Sequence, residues 1–417
     1  MNAILFYNRK DCRLCNSSDL IRFLKLEDTP VGDNYLTLEE SKNVEEFLFP
    51  LELYSCKNCG HIQLGHIVDK KHLYQTGYHY VSSTSKVFVK HFDDYASHVI
   101  EKFKIKKNSL IIDIGSNDGT CLNAFKTRSM KVLGIDPAEN IANIANQNGI
   151  PTLSDFFNLE LAKSIKEKNG NASIITSHNV LAHIDQLENV MKGVYELLDD
   201  EGIFIFEVGY FLDVFTNLFF DTIYHEHLDY HTLKPFVLFF DKLGMKIFDV
   251  SRVKVQGGSL RIYVQKKVGQ YETQDSVNDL IKLEEEIGLY EQNTLKNFQV
   301  RIDFAKKKLQ EIMNKLKIEN KAIVGYGAPT KATTLMSYFD IGKGVIDYIV
   351  DDNPLKQGKV LPLYHIPIYH PDRLLDEFPD YILILSWNFA EPIMKNLKWY
   401  SDRGGKFIVP LPEPLII

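Results

Sequence analysis

Positive charge is in short supply in this chain of 417 residues: 48 Lys and Arg face 55 Asp and Glu, a net charge of −7. No basic field therefore argues for a nucleic-acid partner. Long apolar runs are missing as well, and none approaches the ~20 residues of a membrane span. The opening Met1-Asn2-Ala3-Ile4-Leu5-Phe6-Tyr7 runs straight into Arg9, Lys10 and Asp11. It lacks the apolar core and small-residue cleavage site of a signal peptide, so a cytoplasmic address and no membrane partner are expected. Cysteine is scarce, five in all, and four of the five form two Cys-x-x-Cys pairs. In a reducing compartment that pattern favours metal over disulfides. Apolar and charged residues, at 45% and 25%, are those of an ordinary soluble protein. The length exceeds one core, so about two to four domains are expected.

The first pair is Cys12-Arg13-Leu14-Cys15 and the second is Cys56-Lys57-Asn58-Cys59, followed by Gly60. Two such knuckles bring four thiolates to a tetrahedral zinc, and Gly60 permits the tight turn beneath it. The alternative is a redox dithiol at one pair and two inert cysteines at the other. With Cys12, Cys15, Cys56 and Cys59 all bound, no open position remains, so the metal folds the module and does no catalysis. About forty residues separate the pairs, more than in a compact finger. Residues 28–43 read as an inserted loop.

Residues 109–119, Ser-Leu-Ile-Ile-Asp-Ile-Gly-Ser-Asn-Asp-Gly, predict a buried parallel strand over 110–114 and a glycine loop over Gly115, Asn117, Asp118 and Gly119. A helix over 120–127 follows, then a strand over 131–135 ending in Asp136-Pro137. The glycines admit a ligand close to the backbone, and the acid after the second strand suits ribose hydroxyls. The spacing is a poor NAD fingerprint. Asp113-x-Gly115-x-x-x-Gly119 with Gly134-Ile135-Asp136 resembles instead the S-adenosylmethionine (SAM) site of Rossmann-like methyltransferases. A short strand at 151–153 leads to Asp155-Phe156, where that resemblance puts the adenine. Strands at 172–177 and 202–208 flank a helix whose buried stripe is Leu187, Val190, Met191, Val194, Leu197 and Leu198. Asn179 and His183 follow the first of these strands. A lone histidine there is more often structural.

Residues 224–231, Tyr-His-Glu-His-Leu-Asp-Tyr-His, carry three of the thirteen histidines. They fall on a loop past the fifth strand, over the expected SAM site. Histidine is suited to proton transfer near neutral pH. The spacing is not that of a zinc-protease helix, because Asp229 stands where the second ligand is needed. His231 is read as an ordinary satisfied histidine.

Further on, strands over 249–255 and 259–264 meet at Gln256-Gly257-Gly258, a hairpin with a glycine turn. Arg261 either holds an anionic substrate or faces solvent. Residues 271–318 read as helical, with a packing stripe at Ile302, Ala305, Leu309, Ile312, Met313 and Leu316. A second strand–glycine loop–helix unit follows at 321–331, with Gly325, Gly327, Pro329 and Lys331. Pro329 is expected in the first helical turn, and Lys331 within reach of a phosphate. Strands at 345–350, ending in Asp351, at 382–385 and at 407–409 complete a small parallel sheet.

Taken in order, the Cys-x-x-Cys pairs, Tyr78-x-Tyr80-x-Ser82-Ser83-Thr84-Ser85, Asp113-Ile114-Gly115-Ser116-Asn117-Asp118-Gly119, Asn179-Val180-x-Ala182-His183, Tyr224-His225-Glu226-His227, Gly257-Gly258-Ser259-Leu260-Arg261, Gly325-Tyr326-Gly327-Ala328-x-x-Lys331, Asp352-Asn353-Pro354 and Trp387-Asn388 resemble the zinc-containing, SAM-dependent sugar C-methyltransferases of deoxysugar pathways. The resemblance spans nearly the whole chain. It implies an α/β protein with a zinc-binding module (1–75), a Rossmann-like SAM methyltransferase domain (76–268), a helical linker (269–318) and a C-terminal Rossmann-like α/β domain (319–417). It implies SAM at Tyr78, Ser83, Gly115, Asn117, Asp118, Gly119, Asp136, Pro137, Phe156 and Asn179. A nucleotide-linked keto-sugar, usually dTDP-linked, is expected at His225, Gly258, Ser259, Arg261, Gly325, Gly327, Lys331, Asp351, Trp387 and Asn388. Tyr224, Glu226 and His227 become the acid–base set. The chain departs from the family at Gln256, Pro329 and Pro362-Leu363-Tyr364, which bears on which sugar is used.

Methylating carbon requires a carbanion equivalent, and a neighbouring ketone makes its proton removable. His227 is the expected base, oriented by Glu226, and Tyr224 either donates to the enolate oxygen or relays the proton. The enolate then attacks the SAM methyl. A monomer is expected. Two other readings stay open at this level: an O-methyltransferase of a nucleotide sugar, and a zinc-module adaptor or nucleic-acid-binding protein with a degenerate SAM site.

Overall fold

The computed structural model describes residues 6–44, 46–69, 73, 81–254 and 257–417. The N-terminal module opens with Phe6–Asn8 (β1), which pairs with His66–Val68 (β6). Its main sheet holds Leu20–Lys25 (β2), Glu52–Cys56 (β4) and Ile62–Leu64 (β5). The fourth strand of that sheet comes from far downstream. It is Asp229–Tyr230 (β12), which pairs antiparallel with β5 in the register Asp229↔Gln63 and Tyr230↔Ile62. The expected loop over 28–43 holds a two-residue strand, Leu36–Thr37 (β3). Its partner is Lys359–Val360 (β17), at the other end of the chain.

The middle of the chain builds a seven-stranded sheet ordered β13-β14-β11-β10-β7-β8-β9. Ser85 caps the helix Lys86–Phe103 (α1) by accepting from the Phe88 amide, which satisfies one orphan donor of its first turn. Leu110–Ile114 (β7) is apolar along its length because both faces are covered; Ile111 and Ile112 are fully buried. Thr120–Lys126 (α2), Lys131–Ile135 (β8), Glu139–Gln147 (α3), Thr152–Leu153 (β9), Leu159–Asn169 (α4) and Ala172–His178 (β10) follow in βα alternation. Leu187–Leu197 (α5) buries Leu187, Val190, Met191, Val194 and Leu197, each worth roughly 1.5–3 kcal/mol. Leu198–Gly209 (β11) begins at once, so Leu198 is the strand's first residue and not the helix's last. After Phe211–Asn217 (α6) and Leu233–Lys242 (α7), Met245–Val253 (β13) and Ser259–Lys266 (β14) add an antiparallel hairpin to β11.

Asp275–Glu286 (α8) and Gln292–Ile318 (α9) supply the helical stretch. The stripe of α9 is buried except for half-buried Ile312, and the helix packs against β2. A six-stranded sheet closes the chain, ordered β18-β16-β15-β19-β20-β21. Its strands are Ile323–Tyr326 (β15), Ile349–Val350 (β16), Ile368–Tyr369 (β18), Tyr381–Ile384 (β19), Lys406–Val409 (β20) and Leu415–Ile416 (β21). All neighbours are parallel except the β20–β21 pair. The helix Lys331–Phe339 (α10) starts two residues after Pro329, not at it. No described helix is long and apolar enough to cross a membrane.

Both larger sheets reverse their strand order beside the strand that feeds the glycine loop: between β7 and β10, and between β15 and β19. Such switch points are where open α/β sheets bind ligands.

Candidate active site

The four cysteines converge. The Cys12 and Cys59 sulfurs lie 3.6 Å apart and those of Cys15 and Cys56 3.5 Å apart, with all four within 4.8 Å of one another. A tetrahedral zinc with ~2.3 Å bonds spaces its sulfurs by roughly 3.8 Å, so the set fits zinc. Gly60, at φ +84°, has Tyr290 packed where a Cβ would stand.

The SAM-type loop sits at the switch point beside β10. Gly115 (φ +72°) is pressed on Val180, and a Cβ there would collide with it. Asp136 accepts from the amides of Asn117 and Ala138, both at 2.9 Å, so it shapes the loop and still has lone pairs for hydroxyls. Asn117 and Asp118 in turn accept from the amides of Ser82 and Ser83 at 2.8 and 3.1 Å. Beneath the loop, Asp113 is buried, its Oδ1 has no hydrogen-bond partner among the described residues, and burial and then Asp136 hold its carboxyl well above the usual range. A buried acceptor of that kind, under a glycine loop, suits a polar ligand group. Asn179 (φ +57°) donates its amide to the Glu207 carbonyl at 2.8 Å. Pro137 and Phe156 are exposed on the same edge. Tyr78 lies outside the described residues.

The loop 224–231 lies one short turn from this site. Val180 leads into Ala182, whose carbonyl accepts the Leu228 amide at 2.7 Å, and the His183 ring meets His227 edge-on at 5.0 Å. His227 Nδ1 donates to the Thr222 carbonyl at 2.8 Å, which leaves Nε2 as the acceptor, and the Tyr224 hydroxyl sits on it at 2.9 Å. Burial lowers His227 to about 4, so the imidazole is neutral near pH 7. Glu226 does not orient it. That carboxyl is buried, and burial and then the charge of Asp33, from the 28–43 insertion, raise it to about 8. The expected order, Glu226 orienting His227, is replaced by the Thr222 carbonyl orienting the imidazole.

The other histidines of the run pack against protein groups outside it. His225 is buried against the zinc module, with Nε2 3.2 Å from the Phe49 carbonyl and its ring against Phe49. Its neighbours leave it a packing role. His231 stacks between His61 and Phe236. Arg13, inside the first cysteine knuckle, reaches across to the same loop. Its guanidinium is fully buried and donates to the Leu64 and Leu228 carbonyls, both at 3.2 Å, while Nε meets Asp185 at 3.1 Å and Nη1 meets Asp229 at 3.5 Å. His61 completes the grip on Asp229 at 2.7 Å.

The hairpin and the second glycine loop also differ from expectation. Arg261 neither faces solvent nor stands free for an anion: Nε and Nη2 are each 2.7 Å from Glu207 Oε1, and the guanidinium lies over Tyr95. Gly258 (φ +123°) is packed on Asp213, and Ser259 is fully buried in β14. Gly325 is packed on Ile349 and Leu385, and Gly327 (φ +84°) on Ser386. Asp351 accepts from the Ala328 amide at 2.6 Å, repeating the role of Asp136. Lys331 does not stand free for a phosphate, because its ammonium is 3.2 Å from the buried carboxylate of Asp221 and over the Trp387 ring. Trp387 donates to the same carboxylate at 2.6 Å. Asn388 is exposed beside it. Tyr35, from the insertion, donates to the Ala328 carbonyl at 2.7 Å.

Three family descriptions match this chain in order: "Putative zinc binding domain" over residues 12–74, "Methyltransferase domain" over 88–249 and "C-methyltransferase C-terminal domain" over 254–412. The C-methyltransferase NovU of Streptomyces niveus is 32% identical over 407 residues, covering 98% of this chain and 96% of that protein. The chain belongs to this C-methyltransferase family. Among solved structures, the plantazolicin methyltransferase BpumL with S-adenosylhomocysteine aligns at 15% identity and TM-score 0.34, over 43% of this chain and 83% of that one. The magnesium protoporphyrin IX methyltransferase ChlM of Synechocystis PCC 6803, also with S-adenosylhomocysteine, aligns at 14% and 0.35, over 46% and 90%.

This C-methyltransferase is SAM-dependent and carries a structural zinc. Carbon as the methyl acceptor removes the O-methyltransferase and adaptor readings. Asp221, Thr222, Arg13 and His61 went unseen in the sequence as parts of the site. His183 was read as more often structural, and its ring packs edge-on against His227.

Proposed function

We propose that this C-methyltransferase acts, as a cytoplasmic monomer, on a nucleotide-linked keto-deoxysugar, dTDP-linked by resemblance, and that Tyr224 and His227 remove the proton next to the ketone. The observation that carries this is the Tyr224 hydroxyl on His227 Nε2 while Nδ1 is tied to Thr222, beside the loop that fits SAM. That is a base in a fixed tautomer with a proton relay already aligned.

When bound, SAM supplies an electrophilic methyl group. The chain supplies the nucleophile. The phenol oxygen of Tyr224 takes the proton from the carbon beside the ketone while its own proton passes to Nε2. The carbon–hydrogen pair stays on the substrate as an enolate. Burial disfavours imidazolium in the resting site, but the enolate charge forming next to it offsets that cost. Glu226, raised to about 8, is protonated near pH 7. In this reading it acts as a neutral donor to the developing enolate oxygen, a use of a carboxylic acid that burial makes possible. Trp387, Asn388 and Asp351 lie at the switch point of the C-terminal sheet, where the nucleotide of the substrate is placed in this reading.

The test is incubation of dTDP- and GDP-linked 4-keto sugars with SAM, read by product mass and NMR. Methylation of a dTDP-linked 4-keto sugar at the carbon beside the ketone is expected. Turnover only of acceptors without a ketone contradicts the reading.

A further inference from the structure

We infer that Asp221 is a positioning residue: a buried carboxylate through which the C-terminal domain latches the turn that holds the base. The inference rests on His227 being that base.

The turn Phe220–Thr222 is a 3-10 turn between α6 and the loop. Its last residue presents the carbonyl that accepts His227 Nδ1 at 2.8 Å. The preceding residue, Asp221, has a side chain with no solvent exposure. Its protein partners on Oδ2 both come from the C-terminal domain: Trp387 Nε1 at 2.6 Å and Lys331 Nζ at 3.2 Å. Oδ1 is buried with no hydrogen-bond partner among the described residues. On the other side of Thr222, the Thr334 hydroxyl donates to the Ile223 carbonyl at 2.9 Å. Lys331 and Thr334 lie on α10, so one helix of the C-terminal domain grips both neighbours of the residue that orients the imidazole.

An unpaired charge is costly in a buried place, and removing one partner of such a pair leaves the other uncompensated. Lys331 faces Asp221 as its cation only while the C-terminal domain is docked. When the C-terminal domain moves away, the turn loses its cation, its indole donor and the Thr334 bond together. The Thr222 carbonyl then keeps the Tyr230 hydroxyl at 3.4 Å and the turn its own bonds to Phe219, but both neighbours of Thr222 lose their anchors, and the tautomer of His227 is held less firmly. The base is thus held firmly only when the domain that reads the nucleotide is seated. This also accounts for a lysine at a glycine loop that faces an acid instead of open space.

The experiment uses the full-length zinc-loaded enzyme with 15N-labelled histidine. The Nδ1–H signal of His227 is identified by its loss in His227→Asn. In Asp221→Asn and in Lys331→Met that signal is expected to shift to a mixture of tautomers. With a keto-sugar nucleotide the same variants are expected to lose at least about tenfold in kcat, as misplaced catalytic groups do, with KM changed less than about threefold. Lys331→Arg is expected to restore both signal and kcat. Should Asp221→Asn fail to fold, Lys331→Met carries the test, since its side chain is partly exposed. A His227 signal unchanged in Lys331→Met overturns the inference, as does a loss confined to KM, which would make Lys331 a grip on substrate. A wild-type enzyme that turns over no keto-sugar nucleotide, with the tautomer still responding to Lys331→Met, defeats the substrate reading and leaves the latch standing.

Discussion

Arg13→Met is expected to destabilise the enzyme and to slow it, although the side chain lies in a zinc knuckle far from the base in sequence. The methionine keeps the apolar stem and removes the guanidinium. That guanidinium bonds the Leu228 carbonyl, one residue past His227, and pairs with Asp229, itself without solvent exposure. Burial pushes the Asp229 carboxyl up, but Arg13 and then His61 overcome it and hold it below its usual range. Without Arg13 the carboxylate keeps the His61 hydrogen bond among the described residues, and breaking a buried pair on one side costs about 3–5 kcal/mol. That is a large part of the 5–15 kcal/mol that holds a typical domain folded. Urea unfolding of the wild type, Arg13→Met, Asp229→Asn and the double variant measures it, with zinc content checked in each. The double variant should recover part of the loss, with a coupling of about 1–3 kcal/mol. Methyl transfer should fall while SAM affinity holds, because the contact is to the 224–231 loop, proposed to carry the base, and not to the glycine loop. A loss under about 1 kcal/mol, with the two substitutions additive, would refute the bridge.

Tyr224→Phe removes the hydroxyl on Nε2 and should lower kcat by about 10²–10⁴, the usual worth of a positioned acid or base, with SAM titration unchanged; near wild-type turnover would exclude the relay. Chelation of the zinc should free β5, and with it β12 and the loop it anchors, so activity should be lost with the metal and return with it; an active apo-enzyme would contradict this. Burial holds His225 and His227 at about 4 and His183 and His231 at about 3, all below the ordinary 6.5. The unfolded chain therefore binds these protons first, and the stability from keeping the four rings neutral is full above about pH 6.5 and fades as pH falls toward 4 and then 3. Urea midpoints should drop steadily below pH 6.5, and a flat profile down to pH 4 would contradict the burial of these rings.

Local features were legible in advance, and long-range ones were not. The strand 110–114, its glycine loop and Asp136 could be read because an apolar run, positive-φ glycines and a strand-end acid lie within a few dozen residues and answer to one another. The cysteines could be read because tetrahedral sulfur ligation imposes its own spacing. The partners of the 224–231 loop could not. The β12–β5 pairing joins segments about 165 residues apart, and two-residue strands carry no periodicity. The same holds for β3 and β17, which turned an expected loop into a strap on the C-terminal domain. Lys331 was read as a phosphate ligand because a glycine loop before a helix suggests one, and nothing nearby shows that Asp221 will stand opposite. Arg261 failed likewise: its alternation in a strand is visible, but Glu207 on the neighbouring strand is not. Glu226 was assigned to orient His227 by adjacency, whereas the turn carries it toward Asp33 and brings the Thr222 carbonyl to the imidazole instead.

The central claim is deprotonation at carbon by the Tyr224–His227 pair. Its most direct measurement is turnover of a dTDP-linked 4-keto sugar with SAM in deuterated water, followed by NMR of the residual substrate and the product. The account predicts a methyl group bonded to the carbon beside the ketone, with the original proton on that carbon exchanged or lost, and no exchange in His227→Asn. A product that retains that proton, or exchange that persists at the wild-type rate in His227→Asn, would contradict it.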